Sequence, residues 1–274
     1  MTNRPHIIVR GLSAIKAHLL QVLLIYGFNS KIFWVSLKNT PRFVRDLRTY
    51  RKMHENSAFS SAARFPMQAR NVTPFLMDYE DAAGSGKGSY FHQDIWAARK
   101  IYQRNPQTHI DVGSRIDGFI GHLLVFRDVS VIDVRDLDSA VDGLTFIKSD
   151  ATDMAVFADN SIDSLSSLHA AEHFGLGRYG DPINPDACFQ FMKSLQRVLQ
   201  PSGRLYFSVP IGNERLLFNA QRIFDPATIV ETFDQLELLS FSTVDKSGDF
   251  IADASLQNHL ENRYVCGLFE FTKP

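Results

Sequence analysis

A chain of 274 residues, 45 % hydrophobic and 22 % charged, has the balance of a globular protein with a sizeable core, which excludes a disordered or fibrous class. Its two cysteines, Cys188 and Cys266, lie far apart and exclude a disulfide framework, so a reducing compartment is the default. The net charge of −1 hides an asymmetry: residues 1–52 carry ten Lys and Arg against Asp46 alone, the kind of basic segment that seeks an anionic membrane surface or nucleic acid.

Residues 1–55 read as a basic helical extension. "LSAIKAHLLQVLLIY" has apolar residues at helical spacing, and "PRFVRDLRTYRKM" predicts a helix with Pro41 near its first turn and Phe43, Leu47 and Tyr50 on one face. The segment is either a lid docked on the main domain or an amphipathic anchor on a membrane surface. Its apolar run "LLQVLLIYGF" is about half of the ~20 residues that cross a bilayer. With basic residues after that run and no A-x-A site, it is not expected to be a signal peptide. The expected location is cytoplasmic, with peripheral contact at the inner membrane face through residues 1–52. Residues 56–89 read as an irregular connector. Its "AAGSGKGS" fails as a phosphate loop, because Asp81 holds the place of the first glycine and Gly88 that of the Ser/Thr after Lys87.

The main domain is expected over 90–274. "YFHQDIWAARKIYQRN" predicts a helix with Ile95, Ala98, Ile101 and Tyr102 inward, ended by Asn105-Pro106. Its start either lays Tyr90, Phe91 or His92 over a ligand or simply buries Trp96. Short apolar runs then alternate with helical ones. Strands are predicted at 108–113, 129–134, 144–150, 161–169 and 203–212, with a helix at 186–199. Two further strands at 236–245 and 263–272, with no crossover helix between them, suit an antiparallel pair at the sheet edge. The class is α/β.

In such a sheet, ligands bind beyond the carboxyl ends of the strands. "HIDVGSRIDGF" places Asp111 and Gly113 at the first strand end and Gly118 where the next helix begins. Gly113 lets a ligand approach the backbone, and Gly118 allows close helix packing. Asp133 ends the second strand and is placed to accept from ribose hydroxyls; Asp150 ends the third, where it can meet an adenine amino group. Three buried strand-end carboxylates on one rim need partners to offset desolvation. A dinucleotide pyrophosphate needs G-x-G-x-x-G; here Ser114 interrupts that pattern and Asp117 repels phosphate. A cationic sulfonium with an amino-acid ammonium suits Asp111 better, which favours S-adenosylmethionine.

"HIDVGSRIDGF", "VIDVRD", "FIKSDATDM", "FADNSIDSLSSLHAAEH" and "RVLQPSGRLYFSVP" resemble the successive motifs of class I S-adenosylmethionine-dependent methyltransferases over about residues 90–272. Through "YFHQDIWAARKI", "DVGSRIDGF" and "EHFGLGRYGDP" the chain is also similar to a bacterial family called domain of unknown function 268. The resemblance implies a Rossmann-like sheet of seven strands, mostly parallel with an antiparallel edge strand. It implies a cofactor site at Asp111, Gly113, Ser114, Gly118, Asp133, Val134, Asp150 and Ala151, and a role near surface-polysaccharide biosynthesis.

His169, Glu172 and His173 spell H-x-x-E-H, the ligand pattern of inverted zinc peptidases. That pattern needs a sustained helix, which Gly175 and Gly177 interrupt, so no metal is expected here. At the end of the fourth strand, which faces the methyl group in the resembled superfamily, His173 is the first candidate base and His169 the second, with Glu172 orienting them. The glycine-flanked loop that follows presents Arg178, Tyr179 and Asp181, groups suited to an acidic or phosphorylated sugar. The expected activity is O-methylation of a small-molecule or lipid-linked sugar. The alternative is an inactive methyltransferase-like scaffold in glycan assembly. Nucleic acid is not expected as a partner, because the catalytic half is acidic.

Overall fold

A computed structural model describes residues 22–56, 64–82, 84–257 and 264–274. The chain forms two compact units, Met1–Gly84 and Ser85–Pro274. Much of "LSAIKAHLLQVLLIY", with Arg4, Arg10 and Lys16, lies outside the described residues.

The first unit is built on one long helix, α1 (Ser30–Glu55). It does not start at Pro41. The side chain of Asn29 accepts from the N–H groups of Lys31 and Ile32 and caps the helix a full eleven residues earlier, so Pro41 lies inside. There it withholds only the hydrogen bond to the carbonyl of Leu37. The connector packs back on α1: Asn39 Nδ2 donates to Leu76 O at 2.9 Å, and Arg42 sits 4.3 Å over the Tyr79 ring.

The second unit begins with α2 (Ser89–Arg104), ended by Asn105 in the left-handed region at φ 49°. Its buried face is Gln93, Asp94, Trp96, Ala97, Ala98 and Ile101. Tyr102, expected inward, is 65 % exposed, because the buried face centres on Ala97 and Ile101 and Tyr102 lies about 100° further around the helix. It still meets Phe126 edge-on. The sheet strands are β1 (Ile110–Val112), β2 (Val129–Asp133), β3 (Leu144–Lys148), β4 (Ile162–Leu168) and β5 (Leu199–Ile211). A hairpin of β6 (Arg215–Leu217) and β7 (Gln221–Ile223) follows, then β8 (Glu237–Val244), β9 (Phe250–Ile251) and β10 (Val265–Thr272). Helices α3 (Gly121–Leu124, preceded by a π-helical turn at Ile116–Ile120), α4 (Ala187–Val198) and α5 (Pro226–Thr232) complete it.

The order is β3-β2-β1-β4-β5-β10-β8-β9. β1 pairs parallel with β2 and β4, β2 with β3, and β4 with β5, while β10 runs antiparallel between β5 and β8. This is the expected α/β sheet with two differences. The two-residue β9 makes an eighth strand, and the long reversed strand lies inside the sheet rather than at its edge. Alternation of side chains fills both faces. Leu205, Phe207, Val209, Phe269 and Phe271 point into one core with α4 and Phe233. Tyr206 and Leu268 point into the other with Trp96, Ile101 and Phe119. The carboxyl ends of β1, β2, β3 and β4 are thereby held on one rim.

Candidate functional site

Gly113, at φ +73°, turns the chain as it leaves β1, and a Cβ there would stand 3.0 Å from Ala170 Cβ. Only glycine meets both conditions comfortably. The turn is braced from below. Asp111 is fully buried, and its carboxylate accepts from Ser114 N–H at 2.9 Å, Ser114 Oγ at 2.6 Å and Ser166 Oγ at 2.5 Å. Burial raises its pKa to about 6 against the lowering effect of those donors. The expectation that Asp111 faces a cofactor ammonium is therefore corrected: its oxygens are spent inside, organising the turn. Gly118 packs as expected, since a Cβ would meet Asp94 Oδ2 at 2.6 Å, but it lies under the rim and lines neither cavity described next.

Two adjoining cavities, of about 220 and 330 Å³, open at the strand ends. The first is lined by Ile132, Val134, Asp150, Ala151 and Phe174, the second by Tyr90, Ser114, Arg115 and Asp117. Gly113, Asp133, Arg135, His169, His173 and Tyr179 border both. Asp133 is engaged: Arg135 Nε donates to its Oδ1 at 2.9 Å and Nη2 to its Oδ2 at 2.6 Å. Arg135 also lies 4.6 Å over the Tyr179 ring. Asp150 Oδ1 accepts from Thr152 N–H at 2.8 Å and Oγ1 at 2.6 Å. Sequence reasoning missed Arg135; the signal was its place two residues after Asp133, a spacing that lets a side chain fold back on the carboxylate.

His169 follows directly after β4 at φ 53°. Its Nδ1 faces Gln93 Oε1, which also accepts from Ser208 Oγ at 2.6 Å. The amide oxygen only accepts, so Nδ1 carries the hydrogen and Nε2 is bare. Burial pushes its pKa down to about 4. His173 repeats the pattern: Nδ1 donates to Ala220 O at 2.7 Å, which leaves Nε2 as an acceptor, and burial again lowers the pKa. Glu172 is 1 % exposed and burial raises its pKa to about 8. Its Oε1 stands 3.8 Å from His173 Nε2, a contact of two neutral groups rather than an ion pair. Glu172 lines neither cavity. The H-x-x-E-H stretch is thus a strand end followed by a single 3-10 turn, Ala171–His173, whose histidines face different partners.

The loop beyond it is organised by Asp181, which accepts from Gly175 N–H at 2.8 Å, Gly177 N–H at 3.3 Å and Tyr179 N–H at 3.2 Å. Arg178 donates to Ala220 O at 2.9 Å and lines neither cavity. Tyr179 and Asp181 border the first cavity. The carbonyl that serves both His173 and Arg178 comes from the β6–β7 hairpin, which sequence reasoning also missed. Asn219, at φ 61° in the hairpin loop, was its signal.

Comparison with known proteins fits this architecture. A family described as "Caenorhabditis protein of unknown function, DUF268" matches residues 135–264. The bacterial attribution expected from the sequence is corrected by that description. No curated protein is significantly similar to the chain. Among solved structures, the [4+2]-cyclase SpnF is 14 % identical, with 70 % of this chain and 86 % of that chain covered at a TM-score of 0.50. The 1,6-didemethyltoxoflavin-N1-methyltransferase of Burkholderia thailandensis, with S-adenosylhomocysteine bound, is 13 % identical over 66 % and 78 % of the two chains, TM-score 0.48. The N-methyltransferase NodS of Bradyrhizobium japonicum is 11 % identical over 74 % and 94 %, TM-score 0.46. The likeness is one of fold: this chain has the Rossmann-like class I methyltransferase fold. A fold that also serves a cyclase leaves the reaction to be argued from the site.

Proposed function

We propose that the chain is an S-adenosylmethionine-dependent methyltransferase acting on a hydroxyl of a sugar or glycolipid precursor, the kind of step used in surface-polysaccharide biosynthesis. The observation that carries this reading is the apolar slot of Ile132, Val134, Ala151 and Phe174 bordered by two strand-end carboxylates, Asp133 and Asp150. Such a slot suits a purine face, with one carboxylate for ribose hydroxyls and the other for an amino group. Arg115, on the adjoining cavity, suits an amino-acid carboxylate. These residues fit the cofactor. When bound, it supplies an electrophilic methyl group whose carbon–sulfur bond breaks with the electron pair left on sulfur as a carbon–oxygen bond forms. The chain's own residues align the acceptor and take its proton. His173 Nε2 is the first candidate for that, His169 Nε2 the second, and a placed base is worth about 10²–10⁴-fold.

The test is incubation of the full chain with methyl-labelled cofactor and a panel of nucleotide-linked and lipid-linked sugars. Label in a sugar product with stoichiometric S-adenosylhomocysteine supports the reading. Engagement of both Asp133 oxygens by Arg135 favours a second reading, an inactive binding or scaffold protein in glycan assembly. Cofactor binding with no labelled product across the panel would support that one.

We also infer a peripheral contact with an anionic membrane surface, at the inner face of a cytoplasmic membrane. Exposed Phe33, Trp34 and Leu37 on α1, beside Lys31, Lys38, Arg42 and Arg45, support it. Among the described residues no helix is long and apolar enough to cross a membrane.

A further inference from the structure

His169 is fixed from inside the protein. Its left-handed backbone, φ 53°, is a conformation that a non-glycine residue keeps only where its surroundings hold it. Ser208 on β5 supplies part of that hold, its Oγ accepting from His169 N–H at 3.1 Å. Gln93 on α2 supplies the rest. Its Oε1 faces three donors: Ser208 Oγ at 2.6 Å, Cys266 Sγ at 3.9 Å and the His169 Nδ1. Gln93, Ser208 and Cys266 are all buried, so no water competes for these groups.

A side-chain amide can turn about, and with its Nε2 toward His169 it would make Nδ1 an acceptor and put the ring hydrogen on Nε2. Asp94 prevents this. Gln93 Nε2 donates to Asp94 Oδ1 at 3.1 Å, and that oxygen accepts whether the acid is charged or, with its pKa raised by burial, protonated on Oδ2. Asp94 itself depends on the missing side chain of Gly118, whose Cβ would stand 2.6 Å from Oδ2. A third cavity, of about 440 Å³, opens at His169 with Ser89, Tyr264 and Cys266 in its wall. Among the described residues His169 alone borders all three cavities, whereas Gln93, Asp94 and Gly118 border none.

We propose that Asp94 and Gln93, with Gly118 leaving them room, are positioning residues that hold His169 as its Nδ1–H tautomer and so offer a bare Nε2 to the hydroxyl of the methyl acceptor. This rests on the methyltransferase reading and gives the proton to the second candidate base. As the acceptor oxygen shares a lone pair with the methyl carbon, its own proton becomes strongly acidic. The O–H electron pair stays on oxygen, the proton passes to Nε2, and Gln93 Oε1 keeps the Nδ1 hydrogen of the imidazolium that results. The opposite tautomer carries a hydrogen on Nε2 and takes no proton there.

Ring-nitrogen resonances of the full chain at neutral pH test it. Wild-type His169 should show a protonated Nδ1 and a bare Nε2. In Gln93→Leu the Ser208 hydroxyl, 3.2 Å from Nδ1 and released from Oε1, donates to Nδ1 instead, and the tautomer should reverse. Asp94→Leu should reverse it too by letting the amide turn, whereas Asp94→Asn, which keeps a carbonyl for Gln93 Nε2, should retain the wild-type form. A hydrogen on Nε2 in the wild type or in Asp94→Asn, or no reversal in a folded Leu variant, overturns the proposal. Should neither Leu variant fold, the wild-type and Asp94→Asn spectra still decide it. With a sugar that the wild type methylates, Gln93→Leu should lower kcat at least about 10²-fold with KM little changed; an unchanged kcat beside a reversed tautomer overturns His169 as the proton acceptor. Calorimetry with S-adenosylhomocysteine reports on the cofactor reading separately, and the variants should match wild type. A wild type that binds none would overturn the methyltransferase reading, and with it the part in proton transfer, while the tautomer spectra still decide the positioning itself.

Discussion

Glu172 carries its carboxyl in the interior with Oε2 lacking a hydrogen-bond partner, and burial holds its pKa at about 8 against a reference of 4.5. An acid with a raised folded pKa binds more protons folded than unfolded, so its contribution is fully present below about pH 4.5 and is lost as pH rises through 8. The penalty at the upper end is on the order of a few kcal/mol. Glu172→Gln is therefore expected to melt higher than wild type at about pH 8 and to lose most of that advantage at about pH 5; an equal gap at both would show that Glu172 is ionised in the native state. Imidazoles shift the other way. His109, hydrogen-bonded to Ser164 and Ser166, has its pKa lowered to about 3 by burial, and His169 to about 4. Ring resonances of both should stay those of neutral imidazole down to about pH 5, whereas titration near 6.5 would contradict the buried placement. Arg135 occupies Asp133, the carboxylate assigned to ribose. Arg135→Gln should tighten S-adenosylhomocysteine about tenfold by calorimetry; weaker binding would make Arg135 a cofactor ligand instead of a competitor. The two-residue spacing of Asp133 and Arg135 was a weak signal of this competition, because an Asp at a strand end reads the same whether its oxygens meet a ligand or that neighbour.

The elements differ in how much they announced themselves. Strand β2 and the second half of β5 are largely apolar and buried, so composition marks them, whereas β4 buries Ser164, Ser166 and Ser167. The β6–β7 hairpin has three residues per strand and rests on one left-handed Asn219, and the short α5 depends on an Asp225 cap with Pro226 behind it. Signals that local are easily lost among surface residues, yet the hairpin supplies the Ala220 carbonyl that holds both His173 and Arg178. The 174–184 loop invites a direct comparison. Gly175 has φ +75° and its Cβ would fall 1.9 Å from Asn184 O, whereas Gly180 has φ +86° with open space around it. Gly180→Ala should cost about 1–2 kcal/mol from the left-handed backbone alone. Gly175→Ala should cost clearly more, because the loop must move. Urea unfolding of the two variants checks this, and equal losses would show that the loop yields freely.

For the whole molecule, the α/β class followed from short strands alternating with helical stretches, while Asp111 shows where that legibility ended. A buried acid at a strand end is chemically suited either to a cation or to the turn's own donors, and only the positions of Ser114 and Ser166 decide. The start of α1 was misplaced for a similar reason: Pro41 reads as a first-turn residue until the Asn29 cap is seen to hold the helix from its other end. The first unit carries a prediction of its own. Phe33→Ala/Trp34→Ala should reduce sedimentation of the full chain with phosphatidylserine vesicles about tenfold, and unchanged sedimentation would remove α1 from membrane contact. The central claim is the cofactor site. It is tested most directly by calorimetric titration of S-adenosylhomocysteine into the full chain beside Asp133→Ala. One saturable site per chain, weakened at least tenfold in the variant, is the predicted result; a folded wild-type protein that binds none, or a variant that binds as tightly, would contradict it.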